Sequence, residues 1–263
     1  MRHEPAGDVD YETGGHAYAS IRQPEPAFAT AIRAALGDAR TLINVGAGAG
    51  SYEPADLEVT PVEPSAVMRA QRPSTLAAAV DAVAEDLPFD DLSFDAALAS
   101  VTVHQWRDLT KGLGEIRRVT RGPVVIMTFD PDALRSFWLG AYVPTLMNYE
   151  AGRMPPIATL IDALGGQTAV TALPIPARCR DGFAEAYFGR PEAFLDERVR
   201  ASQSAWRFIG DDERDAGLSM LAHDLRDGTW DQRFGFLRDA PSFRGALRLL
   251  VNTPSRLTPG DRQ

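Results

Sequence analysis

The sequence predicts an α/β fold in which helices cover both faces of a mostly parallel sheet of seven strands. Short apolar runs typical of buried strands alternate with segments of helical spacing through the first half of the chain. The first of these runs leads into the alternate glycines Gly46, Gly48 and Gly50. Strands that alternate with helices imply right-handed crossovers, so we expect a ligand at the carboxyl ends of the strands.

The individual elements follow from apolar periodicity and from glycine and proline punctuation. We predict strands over residues 41–45, 58–62, 77–80, 94–101, 124–129, 168–174 and 246–252, of which 77–80 has the weakest pattern. We predict helices over residues 26–36, 65–70, 109–119, 131–140 and 157–164.

The chain divides into a ligand-binding core and a helical cap. We expect a flexible segment over residues 1–20, the core over 21–130, completion of the sheet over 131–252 and a mobile tail over 253–263. Residues 181–240, called the helical cap below, have helical character and separate the last two strands by more than an ordinary connection. We predict that the helical cap lies over the active site, with Phe194, Trp206, Phe208 and Trp230 mainly in its core.

The composition argues against several classes of protein. The net charge is −9, and Lys111 is the only lysine among 27 basic residues, so nucleic acid is not an expected partner. The abundant Arg and Ala suggest a bacterial source. The 263 residues contain no apolar run near the roughly 18 to 20 residues that cross a membrane. We expect a cytoplasmic protein with no signal peptide, which acts as a monomer or a homodimer.

The cysteine and histidine residues predict neither a disulfide nor a metal site. Cys179 is the only cysteine, and the four histidines are scattered along the chain. A serine hydrolase is equally unsupported, because no Gly-x-Ser-x-Gly sequence follows a strand.

The glycine run and a later acidic residue together indicate a nucleoside cofactor. Glycines at 46, 48 and 50 let a ligand approach the backbone where side chains would block it. Glu63 ends the second strand 17 residues after Gly46, where a carboxylate can accept hydrogen bonds from both ribose hydroxyls. A tight turn and a solvated strand end are the alternative interpretations of these two features taken singly.

A third motif carries a resemblance to a known family. Residues 84–89 read Ala-Glu-Asp-Leu-Pro-Phe, and Ser93-Phe94-Asp95 opens the fourth predicted strand. Together with the glycines and Glu63, these motifs follow one another in the same order as in a known family. The chain thus resembles the class I S-adenosylmethionine-dependent methyltransferases of the UbiE/COQ5-like, type 11, small-molecule group. The resemblance covers about residues 18–129. It implies a Rossmann-like fold and S-adenosylmethionine as cofactor, with S-adenosylhomocysteine as product.

The resemblance also implies roles for individual residues. The glycines would hold the methionine and ribose portions, Glu63 the ribose diol, and Ser100 the methionine portion through its backbone. The adenine and the carboxylate would be contacted by Pro64, Met68, Val83, Ala84, Tyr18 and Arg22. Val83 stands where the family often has an acidic or polar residue, and Asn44 where an acidic residue commonly meets the cofactor's amino group.

His104 is the candidate catalytic base. It follows the fourth predicted strand in Val-His-Gln-Trp, near the expected position of the methyl acceptor. Methyl transfer depends mainly on in-line positioning and needs a base only where the acceptor must lose a proton. The alternative is that His104 orients a loop. Tyr18 and Arg22 have the parallel alternative of surface packing of the first helix.

The sequence is compatible with three functions. The first is methyl transfer to an O, N or C nucleophile of a small organic molecule, in bacterial specialised or cofactor metabolism. The second is a protein of the same fold that binds the cofactor without transferring its methyl, as a regulator, partner subunit or cyclase. The third is an NAD(P)-dependent oxidoreductase, whose third glycine would come one residue later than Gly50.

Overall fold

The structure is a computed structural model that describes residues 23–254. Its strands are β1 (Thr41–Val45), β2 (Glu58–Val62), β3 (Ala96–Ser100), β4 (Val124–Phe129), β5 (Gln167–Ala172), β6 (Ile175–Pro176), β7 (Ser242–Phe243) and β8 (Leu247–Thr253). Its α-helices are α1 (Pro26–Ala35), α2 (Ala66–Ala70), α3 (Leu109–Val119), α4 (Pro131–Arg135), α5 (Pro144–Arg153), α6 (Ile157–Leu164), α7 (Glu197–Ala201), α8 (Asp211–Asp227) and α9 (Thr229–Phe234). Short 3-10 helices span Val103–Gln105, Trp138–Ala141, Ala184–Tyr187, Pro191–Leu195, Ser204–Phe208 and Gly235–Leu237.

The main sheet has the strand order β2-β1-β3-β4-β8-β5. Neighbouring strands from β2 to β4 are parallel, and β8 runs antiparallel to both β4 and β5. The order reverses at β1, which opens a crevice between the carboxyl ends of β1 and β3. The predicted Rossmann-like α/β fold with a mostly parallel sheet is confirmed.

The prediction of a strand at residues 77–80, the third in chain order, is wrong. In residues 23–254 the main sheet has six strands and not the seven predicted. Only Val80 pairs with β2, through its N–H to Pro61 O at 2.9 Å and its carbonyl to Glu63 N at 3.0 Å. Continuing this ladder would require an N–H donated by residue 61. Proline has none, so the third strand is reduced to a single bridge.

The connection from β1 to β2 contains no helix. Residues 46–57 form turns, and α1, which precedes β1, covers this face of the sheet instead. Tyr52, in this connection, has a left-handed φ of 64° and a buried side chain. Its hydroxyl accepts a hydrogen bond from Glu25 N and donates one to Asp181, so it ties the connection to the start of α1 and to the helical cap.

Two apolar layers enclose the sheet. Leu113 and Ile116 of α3 pack on one face together with Leu160 of α6. The other face carries Phe28 of α1 and most of the buried residues of the helical cap. The predicted helix over residues 131–140 is divided into α4 and the 3-10 helix that starts at Trp138.

The helical cap is an insertion between β5 and β8. The short strands β6 and β7 pair antiparallel at its base. It contains one long helix, α8, and otherwise short helices and 3-10 turns, so it is less regular than predicted. Among residues 23–254, no helix combines the length and the apolar character needed to span a bilayer.

Candidate functional site

The glycine turn, defined as residues 46–50, requires glycine for backbone reasons. Gly46, Gly48 and Gly50 have φ values of 72°, 52° and 98°, in the left-handed region that side chains disfavour. A Cβ on Gly46 would overlap the Thr102 side chain, and a Cβ on Gly50 would overlap Leu76. The glycines therefore let two neighbouring loops close onto the turn.

Glu63 lies against the glycine turn at the carboxyl end of β2. Its Oε2 accepts a hydrogen bond from Gly48 N at 2.8 Å, and its Oε1 accepts one from Ser65 N at 2.9 Å. The side chain is buried, and burial raises its pKa above the ordinary value of a glutamate although both backbone bonds oppose the shift. Each carboxylate oxygen still has a lone pair to offer to a ligand.

The residues expected around the adenine lie next to Glu63. Met68 is buried in α2, which begins after the N-cap Ser65, whose hydroxyl accepts from Met68 N. The Val80 bridge brings the following segment to the end of β2, with Ala84 buried and Val83 half-buried. Pro64 is half-buried between Glu63 and Ser65. The structure thus brings these predicted residues together at one edge.

Asn44 belongs to a buried polar network that sequence reasoning missed. Its Nδ2 donates to Glu53 Oε1 at 3.0 Å, and Glu53 in turn pairs with Arg72 at 2.8 Å. Glu53 and Arg72 are 19 residues apart and follow no motif spacing. The available signal was weak: a charged residue in each of two segments that are otherwise rich in glycine, proline and alanine.

The segment after β3 closes the other side of the crevice. Ser100 is half-buried at the end of the strand, and Val101 has a left-handed φ of 51°. This conformation is unusual for a β-branched residue, and such conformations cluster at functional sites. It turns the chain so that Thr102 packs on Gly46.

His104 lies in the 3-10 helix after Thr102. Its Nε2 is 2.8 Å from Nε2 of Gln105. The donor and the acceptor in this contact depend on the tautomer of the ring, and the contact occupies the Nε2 atom. It fits the loop-orienting role, and action as a base would require the ring to release it.

The helical cap meets the core beside this crevice. The Phe183 ring packs against Phe129 at the end of β4, with centroids 5.2 Å apart. Phe194, Trp206 and Trp230 are buried in its interior, as predicted for core residues. Phe208 differs: it is 43% exposed and stacks on Tyr149 with centroids 4.5 Å apart.

Two predicted cofactor contacts, Tyr18 and Arg22, fall outside the described residues.

A histidine and two aspartates lie close together away from the candidate site. On α8, the ligand atoms of His223, Asp224 and Asp227 come within 4.8 Å of one another. His223 already pairs with Asp227 at 3.3 Å, and Asp224 accepts a hydrogen bond from the Tyr142 hydroxyl. These partners account for the cluster without a metal ion.

Comparison with known proteins agrees with this geometry. Residues 43–126 match the model of a methyltransferase domain. They span β1 to β4 and include the glycine turn, Glu63 and the segment 84–89. No curated protein matches the chain in sequence.

Solved structures share the fold. A protein named as a candidate methyltransferase from an antibiotic biosynthesis pathway of Anabaena variabilis is 29% identical, with a TM-score of 0.82 over 89% of this chain and 100% of that one. An S-adenosylmethionine-dependent methyltransferase from Thermotoga maritima is 17% identical, with a TM-score of 0.53 over 93% and 95% of the two chains. The [4+2]-cyclase SpnF is also 17% identical, with a TM-score of 0.50 over 97% and 88%.

These matches support the sequence resemblance at the level of the fold and of the domain, and not at the level of the UbiE/COQ5-like subgroup. The chain carries a methyltransferase domain at residues 43–126 and has the Rossmann-like fold of the class I S-adenosylmethionine-dependent methyltransferases.

Proposed function

We propose that this chain transfers a methyl group from S-adenosylmethionine to an O, N or C nucleophile of a small organic molecule. The observation that carries the proposal is the carboxylate of Glu63, which Gly48 N and Ser65 N hold at the edge of the glycine turn inside the matched domain. A buried carboxylate with lone pairs to spare suits the two hydroxyls of a ribose.

The residues around Glu63 fit the rest of the cofactor. Met68 and Ala84 offer apolar surface for an adenine. The buried Oδ1 of Asn44 has no hydrogen-bond partner among residues 23–254 and can accept from an amino group. When bound, S-adenosylmethionine supplies an electrophilic methyl on a sulfonium. The protein contributes orientation, exclusion of water and, where needed, removal of a proton.

His104 would take the acceptor's proton in reactions that require its loss. For this, His104 Nε2 would have to release the Gln105 side chain that contacts it in the structure, because an imidazole nitrogen takes up a proton through a free lone pair. Ser100 and Thr102 precede it at the crevice and would meet the methionine portion. With an acceptor that is already nucleophilic, positioning alone would suffice.

The acceptor that we propose is a compact metabolite enclosed under the helical cap. The helical cap contacts the core through the rings of Phe183 and Phe129, and a cap held against the core in this way favours a small acceptor over a macromolecule. The relative from Anabaena variabilis is named for antibiotic biosynthesis, which supports a role in bacterial specialised metabolism, of the UbiE/COQ5-like small-molecule type. We propose a cytoplasmic monomer or homodimer without nucleic acid, membrane or metal partners.

The second candidate is cofactor binding without methyl transfer. Asn44 and Val83 replace side chains that are commonly acidic or polar in the resembling family, and the fold is shared with a [4+2]-cyclase. An NAD(P)-dependent oxidoreductase is disfavoured by the methyltransferase domain match and by the early third glycine.

The two candidates are separated by following the methyl group. Pure protein is incubated with methyl-labelled S-adenosylmethionine and a small-molecule extract, and Glu63→Gln serves as the matched control. We expect label in a new small molecule, S-adenosylhomocysteine in equal amount, and neither with the control. Label that stays on bound cofactor with no product in any extract fraction would contradict methyl transfer and favour the second candidate.

A further inference from the structure

A buried ion pair lies beside the glycine turn, and removing its two charges from water costs free energy of folding. Arg72 and Glu53 pair at 2.8 Å, with side chains only 4% and 2% exposed. Removing two charges from water is expensive, and such a pair often stabilises a protein less than apolar residues of the same size. Its position next to the candidate cofactor site suggests a role in that site.

Arg72 is fixed from several directions. Its Nε and Nη2 donate to Ala77 O at 3.1 and 3.0 Å, and its Nη1 donates to Gly48 O at 3.3 Å. The guanidinium therefore joins the loop after α2 to the glycine turn. With so many fixed contacts, it holds the Glu53 carboxylate in one place.

Glu53 determines the orientation of the Asn44 side chain. Glu53 Oε1 is 3.0 Å from Nδ2 of Asn44. An ionised carboxylate can only accept hydrogen bonds, so the nitrogen of the amide must face Glu53 and the oxygen must face away. Asn44 is 1% exposed, and within residues 23–254 its Oδ1 has no partner. A buried amide oxygen without a donor is unfavourable, so a ligand that supplies one gains affinity.

Asn44 lies in the part of β1 that would be nearest to one end of the proposed cofactor. Asn44 lies opposite Leu98 in the register of β1 and β3, and Ser100 follows two residues further toward the carboxyl ends. β1 ends at Val45, and Gly46 follows directly. Asn44 therefore lies one residue before the carboxyl end of β1 and beside β3, where the proposed function puts the methionine portion.

We propose that Glu53 and Arg72 are positioning residues that hold the Asn44 amide with its oxygen toward the ammonium group of the cofactor's methionine portion. The inference rests on the proposed function. The Asn44 amide is thereby fixed with its oxygen as the acceptor. The site therefore discriminates between ligands that carry the amino group of the methionine portion and ligands that lack it.

Replacement of Glu53 by glutamine tests the inference. Both oxygens of Glu53 accept from Nη2 of Arg72, Oε2 at 2.8 Å and Oε1 at 3.1 Å. In Glu53→Gln, we expect the glutamine oxygen to take the closer Oε2 position, so that the NH2 group takes the place of Oε1 and faces Asn44. The Asn44 amide would then turn over and present its NH2 to the ligand. We expect S-adenosylhomocysteine to bind about tenfold more weakly, the loss of one hydrogen bond to a charged group. Its desamino analogue, adenosyl-4-thiobutyrate, should keep its affinity within about twofold.

A double variant and a control separate positioning from damage. Asn44→Asp with Glu53→Gln exchanges acid and amide, so residue 44 again offers an oxygen to the ligand, and we expect the wild-type preference to return. Glu58→Gln makes the same change at an exposed position of β2 and should alter neither affinity.

Calorimetry with both ligands gives distinct outcomes. An unchanged affinity ratio in Glu53→Gln, or a double variant as weak as the single one, would overturn the inference while the proposed function stands. Equal weakening of both ligands would indicate a merely structural role and would overturn it as well. If the wild-type protein bound neither ligand, the proposed function would fail first.

Discussion

The glycine-turn side of the sheet and the helical cap are stabilised in different ways. Around the glycine turn, positive φ angles and single hydrogen bonds fix each group, as with Gly48 N on Glu63. In the helical cap, large aromatic side chains pack on rings from distant positions, as Trp230 does on Trp138, which precedes the cap in the chain, with ring centroids 5.3 Å apart. The first kind of order is local and is visible in a motif. The second depends on which distant rings meet, so it leaves little trace in the sequence.

Loss of an aromatic side chain should have the largest effect, and it should fall on the helical cap. Trp230 is fully buried and contacts Trp138 and Phe234. We expect Trp230→Ala to lower the free energy of unfolding by about 3 to 5 kcal/mol. Phe208→Ala, at a 43% exposed ring, should cost less than about 1 kcal/mol. Urea denaturation measures both, and equal losses would contradict the packing described.

A buried carboxylate makes the attachment of the helical cap dependent on pH. Both oxygens of Glu185 accept from Ala246 N, and burial raises its pKa to about 7 from an ordinary value of 4.5. The folded protein therefore holds a proton that the unfolded chain has released, so this stability is complete below about pH 4.5 and is lost as the pH rises through 7.

We expect Glu185→Gln to remove this dependence. Relative to the wild type, its free energy of unfolding should rise by up to about 3 kcal/mol between pH 4.5 and 7 and then level off. Urea denaturation at a series of pH values measures the difference. A difference that is constant over this range would contradict a raised pKa.

Adding a side chain in the glycine turn should lower the free energy of unfolding by less than the loss of Trp230 does. Its effect should fall on the candidate cofactor site. Gly46→Ala adds a Cβ that overlaps Thr102 at a φ of 72°, whereas Gly37→Ala adds one at a φ of 59° with no atom within 4 Å. We expect Gly37→Ala to lower the free energy of unfolding by about 1 kcal/mol, and Gly46→Ala to lower it by about 2 kcal/mol more. Equal losses in urea denaturation would mean that the Thr102 side chain moves aside freely.

Much of the core was predictable because its signals are local. The bounds of β1, β2, β4 and α3 follow apolar runs that end at glycine, proline or a capping Asp108. Residues 77–80 do not form a strand because Pro61 of β2, which faces them, has no N–H to donate, and an apolar pattern does not record what lies beside it. Helix α5 was not predicted, because only Leu146, Met147 and Ala151 of its ten residues are buried.

In the candidate site, too, the contacts that follow from local signals were predictable and the others were not. Gly48, Glu63 and Met68 meet because they lie at the ends of adjacent elements, and that follows from the fold. The contact of Asn44 with Glu53 and Arg72 does not follow, because it depends on how two irregular loops close over the glycine turn. No periodic pattern records such a closure.

The central claim is that Glu63 and the glycine turn hold S-adenosylmethionine or its product, and calorimetry with S-adenosylhomocysteine tests it most directly. We predict one site per chain in the wild type and an affinity at least about 30-fold weaker in Glu63→Gln, because one of its two acceptors becomes a donor toward the ribose or Gly48 N. Wild-type affinity should also fall as the pH drops through the raised pKa of Glu63. Absence of binding by the wild type, or equal binding by Glu63→Gln, would contradict the account.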